Sequence, residues 1–284
     1  MTEMTTDERP SAKGRRRSAV SGRDVDDTQF SVTVAKAFLI LEAFSAGGRS
    51  LGNAELLERT GLPKPTISRL TYTLMRCGYL VFDQRHRVYE LGPRSLQLGA
   101  VATSRMSIPK IARPKMEELG ELGFNVGLGL CDGDHMLYID AVEAKSLIGL
   151  RLYAGSRMPV ATTAMGLAYL ASLSPGERAE KIAFLKESSD PEVWTQTARG
   201  IERALAEYAD RGYCSSLGEW RRDIHGVAAA IRGRETFVIN IGGPAYQMPE
   251  DLVHESLGPA VASVAQQITG YLEDASDAMG GPAI

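Results

Sequence analysis

The amino-acid sequence predicts an α+β protein in two parts, an N-terminal winged helix-turn-helix domain and a C-terminal domain of strands and helices, joined by a linker helix. Three observations support this fold class. Two amphipathic helices are separated by a short turn, a β-hairpin follows them directly, and the rest of the chain alternates between strand-like and helix-like segments. The predicted boundaries are a disordered tail at 1–28, the winged helix at 29–92, the linker helix at 93–107, the second domain at 108–275 and a tail at 276–284.

The predicted helix-turn-helix lies within 50–76, behind a first amphipathic helix that starts at Ser31. Asn53 is a good N-cap for a short helix that runs to about Thr60 and ends at Gly61. Pro65 can occupy the first turn of the next helix, because its missing N–H has no partner to lose there. Two helices joined by so tight a turn are typical of a DNA-binding helix-turn-helix.

The second of these helices, predicted from about Pro65 to Arg76, has a polar and cationic face. Its apolar residues fall at helical spacing, so they define the opposite, buried face, and the polar residues between them, Thr71 included, are assigned to the exposed face. Arg69 is the best candidate for a contact with a base edge or a phosphate. The predicted DNA-binding residues of this helix are Lys64, Pro65, Thr66, Ser68, Arg69 and Tyr72.

A hairpin after this helix completes the predicted winged version of the motif. Gly78 stops the helix, 79–82 and 87–91 read as short strands, and Arg85 and Arg87 lie at or near the tip. The segment 59–94 contains seven Lys or Arg residues against two acidic residues, a local charge of +5. Because phosphate neutralisation supplies the sequence-independent part of DNA affinity, this excess favours DNA binding. Arg85 and Arg87 are predicted to contact the sugar-phosphate backbone of the DNA.

Two other interpretations of the same segment stay open at the level of sequence. The helices could be ordinary amphipathic helices with a solvated charged face, although cap, turn, helix, hairpin and basic charge coincide in order. A winged helix could also serve protein contacts in place of DNA contacts.

Composition predicts a cytoplasmic protein without disulfides or membrane spans. The three cysteines, Cys77, Cys131 and Cys214, are far apart and form no CxxC pair, and no apolar run is long enough for a transmembrane helix. The whole chain has a formal net charge of −3, but residues 1–100 are basic and the remainder is acidic. Only the first part is therefore expected to meet a polyanion.

The second domain shows no motif for catalysis, metal binding or cofactor binding. The four histidines are scattered, the glycine clusters fit neither a dinucleotide-binding nor a P-loop pattern, and there is no GxSxG sequence. The expectation is a protein that is not an enzyme and needs no cofactor. Its predicted strands are 125–131, 135–142, 147–152, 213–216, 224–231 and 236–242, with helices at 111–122, 161–172, 177–185, 197–212 and 251–271 on one side of the sheet.

The best candidate for a binding pocket in this domain is the small-residue stretch 161–166 at the start of a predicted helix. Backbone N–H groups at a helix N-terminus favour an anion, so Thr163, Ala164, Met165 and Gly166 could hold a carboxylate. The alternative is that these small residues serve close packing of the helix against the sheet. Both interpretations stay open at this stage.

Several stretches together resemble the IclR family of bacterial transcriptional regulators. In the first part they are VAKAFLILEAF, LLERTGLPKPTISRLTYTLMRCGYL and the wing that ends YELGPRSLQLG. In the second they are RMPVATTAMGLAYLA, GYCSSLGEWRRDIHGVAAAIR and FVINIGGPAYQM. The resemblance covers about 30–271, and the combination is more specific than a helix-turn-helix alone.

The resemblance implies a winged helix that binds operator DNA and a GAF-like effector-binding domain that takes a small organic acid. It also implies a homodimer or a dimer of dimers. Met165 stands where the family motif has a small residue, the 216–217 segment lacks an aspartate, and Leu167 replaces a common Lys, so a larger and less polar acid is favoured. The implied effector contacts are Ala164, Met165, Leu217, Glu219, Ala229, Asn240 and Gly242.

The functional hypothesis from sequence is a transcriptional repressor of a catabolic operon that responds to a small organic acid. The alternative is an enzyme or signalling module that processes a small molecule and uses the winged helix for protein contacts. Specific retention of a palindromic duplex would separate the two.

Overall fold

The computed structural model describes residues 29–46, 50–144 and 152–278. The chain forms two compact units, Met1–Gly99 and Ala100–Ile284. The division falls inside α4, Pro93–Ser104, the helix that the sequence predicts as a linker at 93–107. The tail predicted at 1–28 and most of the strand predicted at 147–152 lie outside the described residues.

In the part of the first unit that the structure describes, three α-helices and a two-stranded antiparallel hairpin form as predicted, and α4 begins after the hairpin. The core of this unit includes Leu56, Ile67 and Leu70, which helical spacing assigns to the inside, and Ile40 of α1, which the sequence pattern did not assign. Leu80 and Tyr89 of the hairpin complete this core. The elements are α1 (Val32–Glu42), α2 (Asn53–Thr60), α3 (Lys64–Arg76), β1 (Leu80–Asp83) and β2 (Val88–Leu91).

Two polar residues of this unit have roles other than the predicted ones. Asn53 is the first residue of α2 and not its cap, because the Gly52 N–H donates to Glu55 Oε2 at 2.6 Å. Thr71, on the polar side of α3 by pattern, is fully buried. Its hydroxyl donates to the Ile67 carbonyl at 2.9 Å and lies 3.3 Å from the Tyr89 hydroxyl, so it joins the wing to α3.

The second unit is built on one six-stranded antiparallel sheet in the order β5-β4-β3-β8-β7-β6. Residues 253–257 form a π-helical turn between its last two helices. The elements are α5 (Ile108–Gly120), β3 (Asn125–Asp132), β4 (His135–Val142), β5 (Arg157–Pro159), α6 (Ala164–Ser172), α7 (Pro175–Glu187), α8 (Pro191–Arg211), β6 (Cys214–Leu217), β7 (Ile224–Ile231), β8 (Phe237–Pro244), α9 (Glu250–Leu252) and α10 (Gly258–Ala278).

Helices cover both faces of this sheet, so the prediction of helices on one side is wrong. α5 and α10 pack on the face that carries Phe237, Ile239 and Ile241 of β8. α6 and α8 pack on the face that carries Val238. Every residue of β8 is buried, as expected for a central strand between two helical layers.

Element boundaries differ from prediction where a cap or a buried side chain extends an element. α8 starts at Pro191, earlier than the predicted 197, because the Asp190 side chain accepts the Glu192 N–H at 2.9 Å. Trp194 in this added turn is buried in the layer of α6. The edge strand β5 was not predicted, since three residues are too few for a periodic pattern.

Candidate nucleic-acid interface and ligand cavity

The exposed face of α3 contains most of the residues that the sequence predicts to contact DNA. Thr66 is half-buried, and Tyr72 is 60% exposed despite its large ring. The other predicted residues on this helix, Lys64, Pro65, Ser68 and Arg69, are exposed.

The N-terminus of α3 favours an anion. Lys64 is the first residue of the helix, Pro63 occupies the cap position, and the first turn contains no acidic residue. The N-terminal end of a helix has a partial positive charge and free N–H groups, so a cation there is unfavourable for the isolated chain. A phosphate oxygen at this end would be stabilised by both the helix and the lysine.

The wing loop is held by Asp83, which leaves both arginines at the tip exposed. Asp83 Oδ1 accepts the N–H of Arg85 at 2.8 Å and that of His86 at 3.2 Å. The side-chain hydrogen bond from His86 is the main cause that lowers the pKa of Asp83. Arg87 has φ of 58°, a left-handed conformation that only glycine adopts without cost.

The basic residues of this unit differ in whether the protein itself uses their charge. The guanidinium of Arg59 donates to the Ala43 carbonyl at 2.8 Å, so Arg59 ties α2 to the end of α1. By contrast, the side chains of Lys64, Arg69, Arg85 and Arg87 form no ion pair within 29–46, 50–144 and 152–278. Their charges are therefore available to an outside polyanion.

The second unit encloses a cavity of about 30 Å³ between α6 and the face of the sheet that α6 covers. The space holds about two water molecules. Five predicted ligand-binding residues line it: Thr163, Ala164, Met165, Asn240 and Gly242. The lining also includes Leu152, Met158, Ser216, Trp220, Ile224, His225 and Gly226.

Three predicted ligand-binding residues face away from this cavity. Ala229 packs with Val227 and Ile231 against the α10 layer, because alternate residues of β7 point to opposite faces of the sheet. Leu217 packs against the same layer for the same reason, and Ser216 takes its place in the cavity wall. Gly166 lies against Val160, where an added Cβ would meet the Val160 carbonyl oxygen at 2.1 Å.

Glu219 lies outside the lining and is paired with Arg203 of α8. Burial alone would raise the pKa of Glu219, but the hydrogen bond from Arg203 and its positive charge outweigh burial and hold that pKa below its usual value. Glu219 is therefore ionised and neutralised by Arg203.

The polar side chains of the cavity wall are mostly engaged by the protein itself. The Thr163 hydroxyl donates to the Pro159 carbonyl at 2.6 Å and accepts the Gly166 N–H at 3.2 Å. The Ser216 hydroxyl donates to the Thr162 carbonyl at 2.9 Å. The first turn of α6 leaves the N–H groups of Ala164 and Met165 without a helical partner. These groups, the Asn240 amide and the Trp220 indole are donors in the lining that a ligand could use.

Of the apolar residues in the cavity wall, sequence reasoning predicted Ala164 and Met165 but missed four others. Leu152, Met158, Trp220 and Ile224 come from four separate segments, and none of them stands at a spacing that indicates a pocket. Of these four residues, Trp220 alone could have been singled out from sequence. It is one of two tryptophans in the chain, and a large aromatic residue in a charged stretch can indicate a binding site.

An exposed cationic helix-and-wing surface in one unit and a small cavity beside a helix start in the other are typical of effector-responsive DNA-binding regulators. A model of the IclR helix-turn-helix domain matches residues 33–84, and a model of the bacterial transcriptional regulator IclR C-terminal domain matches residues 100–270. The chain belongs to the IclR family of transcriptional regulators, a non-enzymatic family that binds DNA through the helix-turn-helix and a small molecule in the C-terminal domain.

Two similar proteins illustrate this membership, and a third, more distant structure shares the fold. The HTH-type transcriptional regulator TsaQ1/TsaQ2 of Comamonas testosteroni is 36% identical over 249 residues, which cover 86% of this chain and 89% of that protein. The crystal structure of an IclR family regulator from Brucella abortus has a TM-score of 0.73 at 34% identity, covering 89% and 96%. An IclR homolog from Microbacterium hydrocarbonoxydans, solved with 4-hydroxybenzoate, has a TM-score of 0.67 at 19% identity, covering 85% and 99%.

No helix in the described ranges combines the length and the apolar character that a membrane crossing requires.

Proposed function

We propose that this protein is a cytoplasmic repressor that binds the palindromic operator of a catabolic operon as a homodimer and responds to a small organic acid. The observation that carries the proposal is the set of four exposed cations on α3 and the wing that no acidic residue of the described chain neutralises. A surface of this kind neutralises phosphates and releases counterions from DNA.

The homodimer is supported by apolar residues that are exposed at helical spacing. Val34 and Phe38 are four residues apart on α1, and Leu98 and Val101 are three apart on α4. Each of the four side chains is more than half exposed. A second copy of the chain would cover these faces and would present two recognition helices to two half-sites.

The organic acid is supported by the chemistry of the cavity wall. Its donors include the N–H groups at the start of α6, the amide of Asn240 and the indole of Trp220, and its walls are mostly apolar. Met165 is a flexible side chain that can move to admit a ligand, which the present volume of about 30 Å³ requires. The fold likeness to a protein solved with 4-hydroxybenzoate makes that acid a sensible first probe.

The experiment that tests the proposal is a selection of duplexes from random sequence by the full-length protein. We expect the selected duplexes to share an inverted repeat, and we expect a set of organic acids to release the protein from it. Recovery of duplexes with no common sequence would contradict operator binding. If every acid that binds the protein made it hold the operator duplex more tightly, the proposal that the acid relieves repression would be contradicted.

Arg69 is expected to read a base in each half-site. Arg69→Ala should reduce discrimination at one base pair by about 1–3 kcal/mol, because alanine cannot form the bidentate hydrogen bonds of arginine with guanine. The measurement is binding to a set of single-base-pair operator variants. Arg234→Ala, an exposed arginine of the second unit, is the control. If Arg69→Ala discriminated between the operator variants as well as the wild type does, Arg69 would contact a phosphate or have a structural role, and would not read a base.

The wing arginines are expected to contact phosphate without reading sequence. The variant should combine Arg85→Ala with Arg87→Gly, because glycine suits the left-handed conformation at 87 and keeps the loop intact. Affinity should fall for all duplexes alike, and the slope of log K against log salt should decrease by roughly 0.9 for each phosphate that is no longer neutralised. Gln84→Ala, in the same loop, is the uncharged control. An unaltered slope would show that the wing does not touch DNA.

A further inference from the structure

The side chain of Tyr138 reaches across a neighbouring strand to Asn240. Tyr138 is on β4 and Asn240 on β8, and β3 lies between them in the sheet. Gly127 of β3 is paired with Asn240 and leaves the space for this crossing. An added Cβ at Gly127 would lie 2.0 Å from Tyr138 Cε1 and 2.6 Å from Asn240 Oδ1. The crossing therefore requires glycine at 127.

The hydrogen bond between these two side chains has a defined direction. The Tyr138 hydroxyl donates to Asn240 Oδ1 at 2.9 Å, and the two residues are 2% and 6% exposed. Burial raises the pKa of Tyr138, so the phenol keeps its proton. Within the described chain this proton has no other acceptor. A flipped amide would leave it unpaired in a buried place, which disfavours the flip by roughly tenfold or more.

This direction decides which end of the amide is free. Asn240 Nδ2 has no acceptor among the residues that the structure describes, and Asn240 and the neighbouring Gly242 both line the cavity. The hydroxyls of Thr163 and Ser216 both donate to backbone carbonyls. Nδ2 is thus a side-chain donor that remains for a ligand, beside the first N–H groups of α6 and the indole N–H of Trp220 in the same lining.

We infer that Tyr138 is a positioning residue that fixes the Asn240 amide with its NH₂ group toward the cavity, so that the site takes a ligand's hydrogen-bond acceptor there and rejects a donor. This inference rests on the proposed role of the cavity as the effector site. Tyr138 itself does not touch the ligand. It acts by holding Oδ1 of Asn240 and so presenting Nδ2.

The test compares carboxylates with primary amines of the same skeleton, by calorimetric titration of the full-length protein. The pairs are benzoate and benzylamine, phenylacetate and phenethylamine, and hexanoate and hexylamine. We expect at least one carboxylate to bind at least tenfold more tightly than its amine. Tyr138→Phe keeps the ring over Gly127 and should weaken that carboxylate about fivefold, the worth of one neutral hydrogen bond.

A double-mutant cycle separates positioning from a general effect on the fold. Tyr138→Phe should have no further effect on the carboxylate when Asn240→Ala is already present. Tyr213→Phe is the matched control, because Tyr213 is also buried and its hydroxyl is hydrogen-bonded, but on the α10 side of the sheet. It should leave affinity unchanged.

Asn240→Asp is the second variant and covers the case in which Tyr138→Phe does not fold. It keeps an oxygen for Tyr138 and replaces the NH₂ donor with an acceptor, so it should reverse the preference between carboxylate and amine. The inference would be overturned if Tyr138→Phe left the affinity for the carboxylate unchanged, or if its effect simply added to that of Asn240→Ala. It would also be overturned if Asn240→Asp did not reverse the preference between carboxylate and amine. In each of these cases the binding of an acid would still stand. Failure of every carboxylate to bind would overturn it together with the proposed acid, while operator selection would still test DNA binding separately.

Discussion

Met165→Trp is expected to abolish the response to the effector and to leave operator binding intact. Met165 is 1% exposed and forms part of the cavity wall, and its sulfur lies where a side chain at Gly129 would be. The larger indole is expected to occupy the adjoining cavity, whose volume is about 30 Å³. Overpacking should also cost about 1–3 kcal/mol of stability. The measurement is release of the operator duplex over a range of acid concentrations.

Met165→Leu is the matched control for this substitution. Leucine conserves volume and apolar character, so it should keep the response and change stability by less than about 1.5 kcal/mol. Thermal unfolding of both variants would show whether the tryptophan protein is folded. A folded Met165→Trp protein that still releases the operator at the same acid concentration would place the ligand elsewhere.

Gly166→Ala is expected to destabilise the second unit by about 3–5 kcal/mol, a loss reserved for changes that break packing in a core. The methyl group would lie 2.1 Å from the Val160 carbonyl oxygen and 2.3 Å from its Cα, and both are backbone atoms. The chain cannot relieve such a contact by rotating a side chain. Denaturant unfolding, monitored by a spectroscopic signal that arises from the second unit, would measure the loss in the free energy of unfolding.

Gly200→Ala in α8 is the control, because an added Cβ there meets nothing within 4 Å. Alanine in a helix interior should stabilise by up to about 1 kcal/mol relative to glycine. The contrast tests whether glycine at 166 serves close packing. If Gly166→Ala unfolded like the wild type, the approach of α6 to Val160 would be looser than the structure shows.

The winged helix could be predicted from sequence because its signals are local. The apolar spacing of α3, the glycine at 61 and the proline at 65 each act within a few residues, and they agree with one another. Gly61 has φ of 67°, as a glycine that ends a helix should. The two wrong predictions there, the cap at Asn53 and the polar Thr71, depend on neighbours that spacing does not reveal.

The cavity could be predicted only in part, because it depends on which way each strand faces. Ala228, Ala229 and Ala230 are identical residues, so composition cannot say which of them faces α6 and which faces α10. Thr163 to Met165 could be predicted because a helix start is a local signal. Tyr138 could not, since its contact with Asn240 spans three strands and depends on the absence of a side chain at Gly127.

The central position of β8 also affects the risk that the chain aggregates while it is being synthesised. The hairpin β3–β4 leaves the ribosome early, but the strand that covers its inner edge comes after α6, α7, α8 and the hairpin β6–β7. Until β8 has been synthesised, the hairpins β3–β4 and β6–β7 each have an unpaired strand edge that only β8 covers in the folded sheet. Nascent chains on one messenger could pair through those edges, so the interval before β8 is the period in which chaperone protection matters most.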